Sequence, residues 1–141
     1  MNLVRFTCLI TLLAILVGCG RQYNGDQRFP LSGKVTFDGQ PIDYGTITFI
    51  PATGDKQRVS GGTILDGVYS VSEETGANQG DHRVEIHWFK KNGKQFLDPD
   101  TQIMMDKRDE GLPLKFHKNS TLKADVSATQ SKFDFDLKST E

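Results

Sequence analysis

The chain has 141 residues, 36% hydrophobic and 25% charged, a composition that fits one ordinary globular domain. Its formal net charge of −1, with lysines and arginines scattered, leaves no basic patch of the kind nucleic acid requires. The one locally dense run, FKKNGK near residue 90, reads as a solvated loop.

The first segment, MNLVRFTCLITLLAILVGCG, has one positive residue, Arg5, followed by an apolar run from Phe6 to Val17. That run is shorter than the ~20 residues a bilayer-crossing helix needs and matches the core of an export signal. It ends in Leu16-Val17-Gly18-Cys19, which resembles the lipobox of bacterial lipoproteins. The resemblance implies that a signal peptide over residues 1–18 is cut away and that the Cys19 thiol receives diacylglycerol. Val17 is bulkier than the alanine or serine usual at its position. Cys8 lies in the removed segment, so the mature chain would hold no disulfide, no thiolate nucleophile and no cysteine ligand for zinc. Several acyl chains on Cys19 would hold the protein stably on a membrane. Gly20 is not the aspartate that retains such proteins in the inner membrane of enteric bacteria, which implies the outer membrane, facing the periplasm. Residues 19–30, the lipidated cysteine with GRQYNGDQRFP, are polar and aperiodic and read as a flexible tether.

From Leu31 to residue 138 the dominant period is two, and this stretch is expected to form one domain. LSGKVTF (31–37) sets Leu31, Val35 and Phe37 against Ser32, Lys34 and Thr36. TITFI, RVSGGTI and VYSVS follow, and HRVEIHWF places Val84, Ile86 and Trp88 inward with Arg83, Glu85 and His87 outward. TLKADV and KFDFDL close the series. Half-buried antiparallel strands alternate in this way. Asp38-Gly39 and Asp66-Gly67 are hairpin signals, since both residue types tolerate positive φ. Asn92-Gly93 is read as a third, closing a small hairpin between HWFK and KQFL, and residues 101–110 (TQIMMDKRDE) as a short helix. About seven strands with turns between them predict an all-β, seven-stranded Greek-key β-sandwich.

SGKVTFDGQPIDYGTITFIP (32–51) resembles the opening of carboxypeptidase regulatory-like domains, whose fold is a transthyretin-like (prealbumin-like) sandwich. The pattern falls on Gly33, Val35, Asp38, Gly39, Pro41, Ile42, Gly45, Ile47 and Phe49. GGTILDGVYSV and GDHRVEI match two further signatures, with His82 where a tyrosine is common. The tail from Leu112 resembles small bacterial lipoproteins built of one such domain after a lipobox. The resemblance implies fold more than chemistry, because most members are not catalytic. Gly33 and Gly45 are read as packing positions and Gly39 as a turn residue, and no helix N-terminus follows them to make a phosphate cradle.

No catalytic constellation is present: there is no Gly-x-Ser-x-Gly elbow and no His-Glu-x-x-His pair. A transthyretin-like hydrolase, the third reading, is disfavoured because the chain ends in DLKSTE where those enzymes carry Tyr-Arg-Gly-Ser. No metal or cofactor is expected. His82 and His87 take opposite faces of one strand, so a zinc site would require distant histidines and a carboxylate to converge. His82 is assigned to the core, and His117 to a surface loop or binding face. Asp98, Asp100, Asp106, Asp109 and Glu110 read as a solvated acidic loop, since DPDTQIMMD lacks the spacing of a calcium loop. The candidate binding surface is Tyr44, Phe89, Phe96 and His117, because exposed rings anchor proteins and stack on sugars. These features predict a non-catalytic envelope lipoprotein, held on the membrane through Cys19, whose sandwich engages an envelope protein or serves as a structural element. The alternative is a carbohydrate-binding module that engages an envelope polysaccharide.

Overall fold

The computed structural model describes residues 27–53 and 58–140. The signal segment, Cys19 and most of the tether lie outside the described residues. The described residues form eleven strands, in order β1 Arg28–Phe29, β2 Leu31–Phe37, β3 Gln40–Pro41, β4 Tyr44–Pro51, β5 Ser60–Leu65, β6 Val68–Val71, β7 Ala77–Asn78, β8 Gly80–Leu97, β9 Met104–Glu110, β10 Lys123–Val126 and β11 Phe135–Leu137. The seven alternating runs correspond to β2, β4, β5, β6, β8, β10 and β11. These seven also make the main path of the sheet, in the order β10-β8-β4-β5-β6-β2-β11. The all-β expectation holds.

Two tight turns shape this path. Asp38 and Gly39 both have positive φ, as do Asp66 and Gly67, the combination that two-residue hairpin loops require. After the second turn β6 pairs with β5 only through Ile64↔Tyr69 and Leu65↔Val68, and then continues along β2. The sheet thereby folds over itself in a sandwich-like way. Phe49 of β4 packs on Tyr69 of β6 at a centroid distance of 6.0 Å, and Trp88 of β8 on Phe37 of β2 at 5.9 Å. Leu31, Val35, Ile47, Ile64, Val84, Ile86 and Val126 fill the space between the layers. Each such side chain contributes about 1.5–3 kcal/mol by leaving water.

The strand pairing departs from the antiparallel expectation at one place. β11 runs parallel to β2, with Phe135 opposite Val35 and Leu137 opposite Phe37. The chain leaves β10 in one layer and crosses to the other, where the Asp134 carboxylate accepts from the Lys34 N–H at 2.7 Å. The domain also reaches further toward the N-terminus than Leu31. Arg28 and Phe29, assigned to the tether, form β1 against β7, and Phe29 is buried in the core.

Two local expectations are overturned. Residues 104–110 form β9 rather than part of a helix, and Asn92-Gly93 does not close a hairpin. Strand β8 runs through Gly93 to Leu97, its register against β9 shifting between Lys91 and Gln95. Gly93, at φ +80°, supplies the positive φ of a bulge instead of a turn. The reversal comes later, at residues 98–102, where Asp98 Oδ1 accepts from the N–H groups of Asp100 and Thr101. Strands β8 and β9 beyond Phe89 therefore make a two-stranded ribbon that extends from the sandwich. Among the described residues no helix is long and apolar enough to cross a membrane.

Candidate functional site

The chain passes from the ribbon back to the sandwich over Trp88. A Cβ at Gly111 would lie 2.8 Å from the Trp88 ring, so only glycine lets the backbone cross there. The Gly111 N–H donates to the Trp88 carbonyl at 2.8 Å. This crossing brings the end of β9 and the next residues onto one carboxylate. Glu110 Oε1 accepts from the N–H groups of Trp88 and Leu112, at 3.1 and 3.0 Å. Glu110 Oε2 lies 2.6 Å from His87 Nδ1. Burial works to raise the Glu110 carboxyl, but the hydrogen bonds from Leu112, Trp88 and His87 outweigh it and hold it below the usual glutamate value.

Beyond Leu112 a single 3-10 turn, Leu114–Phe116, buries Phe116 edge-on against Phe37 at 6.2 Å. His117 follows at once, 5% exposed. Its Nε2 faces the Leu112 carbonyl at 3.2 Å, while its Nδ1 is buried with no hydrogen-bond partner among the described residues. The His117 ring lies 4.9 Å from that of His87. His87, Glu110 and His117 each offer a donor atom within 4.8 Å of the others.

This cluster corrects two expectations. His117 is not a surface residue, because Phe116 pins the loop and turns the next side chain inward. A carboxylate and two histidines also do converge. Strand parity correctly parts His82 from His87, but it says nothing about a loop that returns to β8 from the C-terminal side.

On the same face of β8, Phe89 stacks on His87 with their rings 14° apart, and Tyr44 approaches Phe89 at 5.8 Å. The Arg108 guanidinium sits 4.8 Å over the Tyr44 ring and donates to the Phe89 carbonyl at 2.7 Å. Of the four predicted surface residues, Tyr44 and Phe89 thus meet, and His117 lies behind them. Phe96 is elsewhere, near the ribbon tip.

Five large apolar side chains are exposed around that tip: Phe96, Leu97, Ile103, Met104 and Met105. Phe96 is opposite Met105 and Leu97 opposite Met104, so both faces of the ribbon are apolar there. The stem below is polar, with a Lys91–Asp106 ion pair at 2.6 Å and Asn92 donating to Asp109 at 2.9 Å. The predicted acidic loop is consequently divided: Asp98 caps the turn, Asp106 and Asp109 brace the stem, and Glu110 joins the histidines. The tip was missed in the sequence apart from Phe96. The pair Met104-Met105 facing Phe96-Leu97 was the available signal.

His82 is buried in the core, as expected, with Nδ1 2.8 Å from the Gly80 carbonyl. It borders a pocket of about 520 Å³ that Arg83, Ser120 and Lys123 also line.

Comparison with protein-family models, curated proteins and solved structures found no match.

Proposed function

We propose that the protein is a non-catalytic envelope lipoprotein, anchored through Cys19 on the outer membrane and facing the periplasm, whose sandwich serves as a protein-interaction module. In this reading the domain is a Greek-key sandwich of the transthyretin-like, carboxypeptidase regulatory-like type, as the motifs from Gly33 to Phe49 suggest. The observation that carries the functional reading is the ribbon tip. Apolar side chains on both faces of a two-stranded ribbon suit insertion between two walls, as in a socket on a partner protein. A flat docking surface would need only one apolar face. The charged stem keeps the remainder of the ribbon in water.

The sugar-binding alternative draws on Tyr44 and Phe89, but their rings are tilted by 49° and Arg108 covers a face of Tyr44. A sugar stacks on an open, flat ring.

A photoreactive residue at Ile103, crosslinked in intact membranes, tests the proposal. A single stoichiometric protein adduct is expected, lost when Met104→Asp and Phe96→Asp are introduced together. Adducts to lipid alone, or a protein adduct that both substitutions leave unchanged, would overturn it. Failure of the wild-type protein to incorporate labelled fatty acid would overturn the anchoring half.

A further inference from the structure

We propose that His87, Glu110 and His117 form a binding site for one divalent transition-metal ion of the zinc type. The three donors come from separate elements: His87 from β8, Glu110 from the end of β9, and His117 from the loop before β10. They supply two imidazole nitrogens and a carboxylate oxygen, a donor set that suits zinc and its neighbours and does not suit calcium or magnesium.

His117 differs from His82, whose buried Nε2 is also unpartnered, in having a second imidazole and a carboxylate beside it among the described residues. A buried imidazole ordinarily satisfies both nitrogens, and an unpartnered one is costly. Here the Leu112 carbonyl accepts from Nε2–H, so in the neutral ring the free lone pair is the one on Nδ1. Among the described residues no donor reaches Nδ1. A carbonyl that fixes the tautomer of a histidine so that the other nitrogen is free is the arrangement surrounding metal-bound imidazoles. Glu110 is prepared in the same sense, because two backbone N–H groups hold Oε1 and orient Oε2 toward His87.

The distances require small adjustments. Donors bound tetrahedrally at about 2.0–2.1 Å lie about 3.3 Å from each other. The Nδ1–H by which His87 donates to Glu110 at 2.6 Å would be released to solvent as a proton when the ion takes its place. This pair would open slightly, and the widest separation, within 4.8 Å, would close. The His87 and Glu110 side chains are about one-third exposed, at 32% and 31%, so a fourth position opens to water. With the ion in place, the base of the ribbon and the loop over Trp88 are joined to β8 by coordination.

The test uses the full chain in detergent, with Cys8→Ser and Cys19→Ser so that no thiol competes, stripped of metal with a chelator. Titration with zinc should show one saturable site per chain, and cobalt should give the absorption of a tetrahedral nitrogen–oxygen site. His117→Phe, which keeps the position apolar and filled, and His87→Asn should each weaken zinc at least 10-fold. Calcium should give no heat. The proposal is overturned if zinc gives no saturable binding to the folded cysteine-free parent chain, or if both variants bind it as tightly as that parent. The cobalt spectrum of that parent stands whether or not a histidine variant folds: an octahedral, all-oxygen spectrum would also overturn the proposal.

Discussion

The Tyr69 hydroxyl donates to the Phe133 carbonyl at 2.8 Å, joining β6 to the segment that crosses between the layers. Tyr69 is 1% exposed, so this hydrogen bond stands in the core. Burial, then the nearby Asp134 charge, pushes the phenol well above its ordinary value. A phenol raised in the folded chain deprotonates first in the unfolded one. Its contribution is therefore fully present below about pH 10 and declines as pH rises beyond it, by up to about 1.4 kcal/mol per pH unit. Urea denaturation between pH 8 and 11 should show that decline. Tyr69→Phe should cost about 1–2 kcal/mol at pH 7, through the orphaned carbonyl, and should flatten the alkaline slope.

The glycines separate into two kinds under substitution. A Cβ at Gly45 would stand 2.2 Å from the His87 carbonyl oxygen, and one at Gly33 would stand 1.9 Å from that of Phe133. Neither neighbour is a side chain that could rotate away. Gly45→Ala should cost about 3 kcal/mol or more, because β4 and β8 must part. At Gly39 a methyl group meets nothing within 4 Å, and only the φ of +79° resists it. Gly39→Ala should cost about 1 kcal/mol. Denaturant midpoints of the two variants would establish the order.

Trp88, the only tryptophan of the chain, offers an optical probe of the crossing loop. Its indole N–H donates to Asp43 Oδ1 at 2.6 Å. That bond, opposed by partial burial and supported by the Tyr44 N–H and by Arg108, lowers the Asp43 carboxyl from its ordinary value. A carboxyl lowered in this way stabilises the fold above its unfolded value, near 4, and the contribution disappears as pH falls through the lower folded value. Tryptophan emission should be constant from pH 7 to 5 and shift only below about pH 4. Asp43→Ala should produce the shifted emission already at pH 7.

Much of the fold is written in residue order because each core strand has one dry face. Val84, Ile86 and Trp88 alternate with Arg83, Glu85 and His87, and the turns at Gly39 and Gly67 need their glycines. β9 has no such pattern. Met104 to Glu110 is wet on both faces, and its pairing rests on cross-strand contacts such as Lys91–Asp106, which leave no apolar period. Asn92-Gly93 misleads for a different reason. A bulge and a hairpin loop both call for positive φ, and only the location of the partner strand separates them. His117 was illegible as a cluster member because its neighbours, His87 and Glu110, reach it only through tertiary packing.

The bulge gives a prediction of its own. Asn92 Oδ1 accepts from the Lys94 N–H, and Asn92 Nδ2 donates to Asp109, both at 2.9 Å. Asn92→Ala should leave the melting of the sandwich within about 1 °C of wild type while amide exchange accelerates from Gln95 to Met105. Equal acceleration in β4 would show that the ribbon and sandwich open together.

The continuity of β8 has a mechanical consequence. One strand of 18 residues, up to about 60 Å of extended backbone, leads from beside the edge strand β10, through the bulge at Gly93, to the apolar tip. A tug at Leu97 is conveyed along that backbone to Arg83, where β4 flanks it on one side and β10 on the other. The load then falls along the strand, in shear, on many ladder bonds at once rather than peeling them singly. A domain tied down at its opposite end would bear tension through this one long strand.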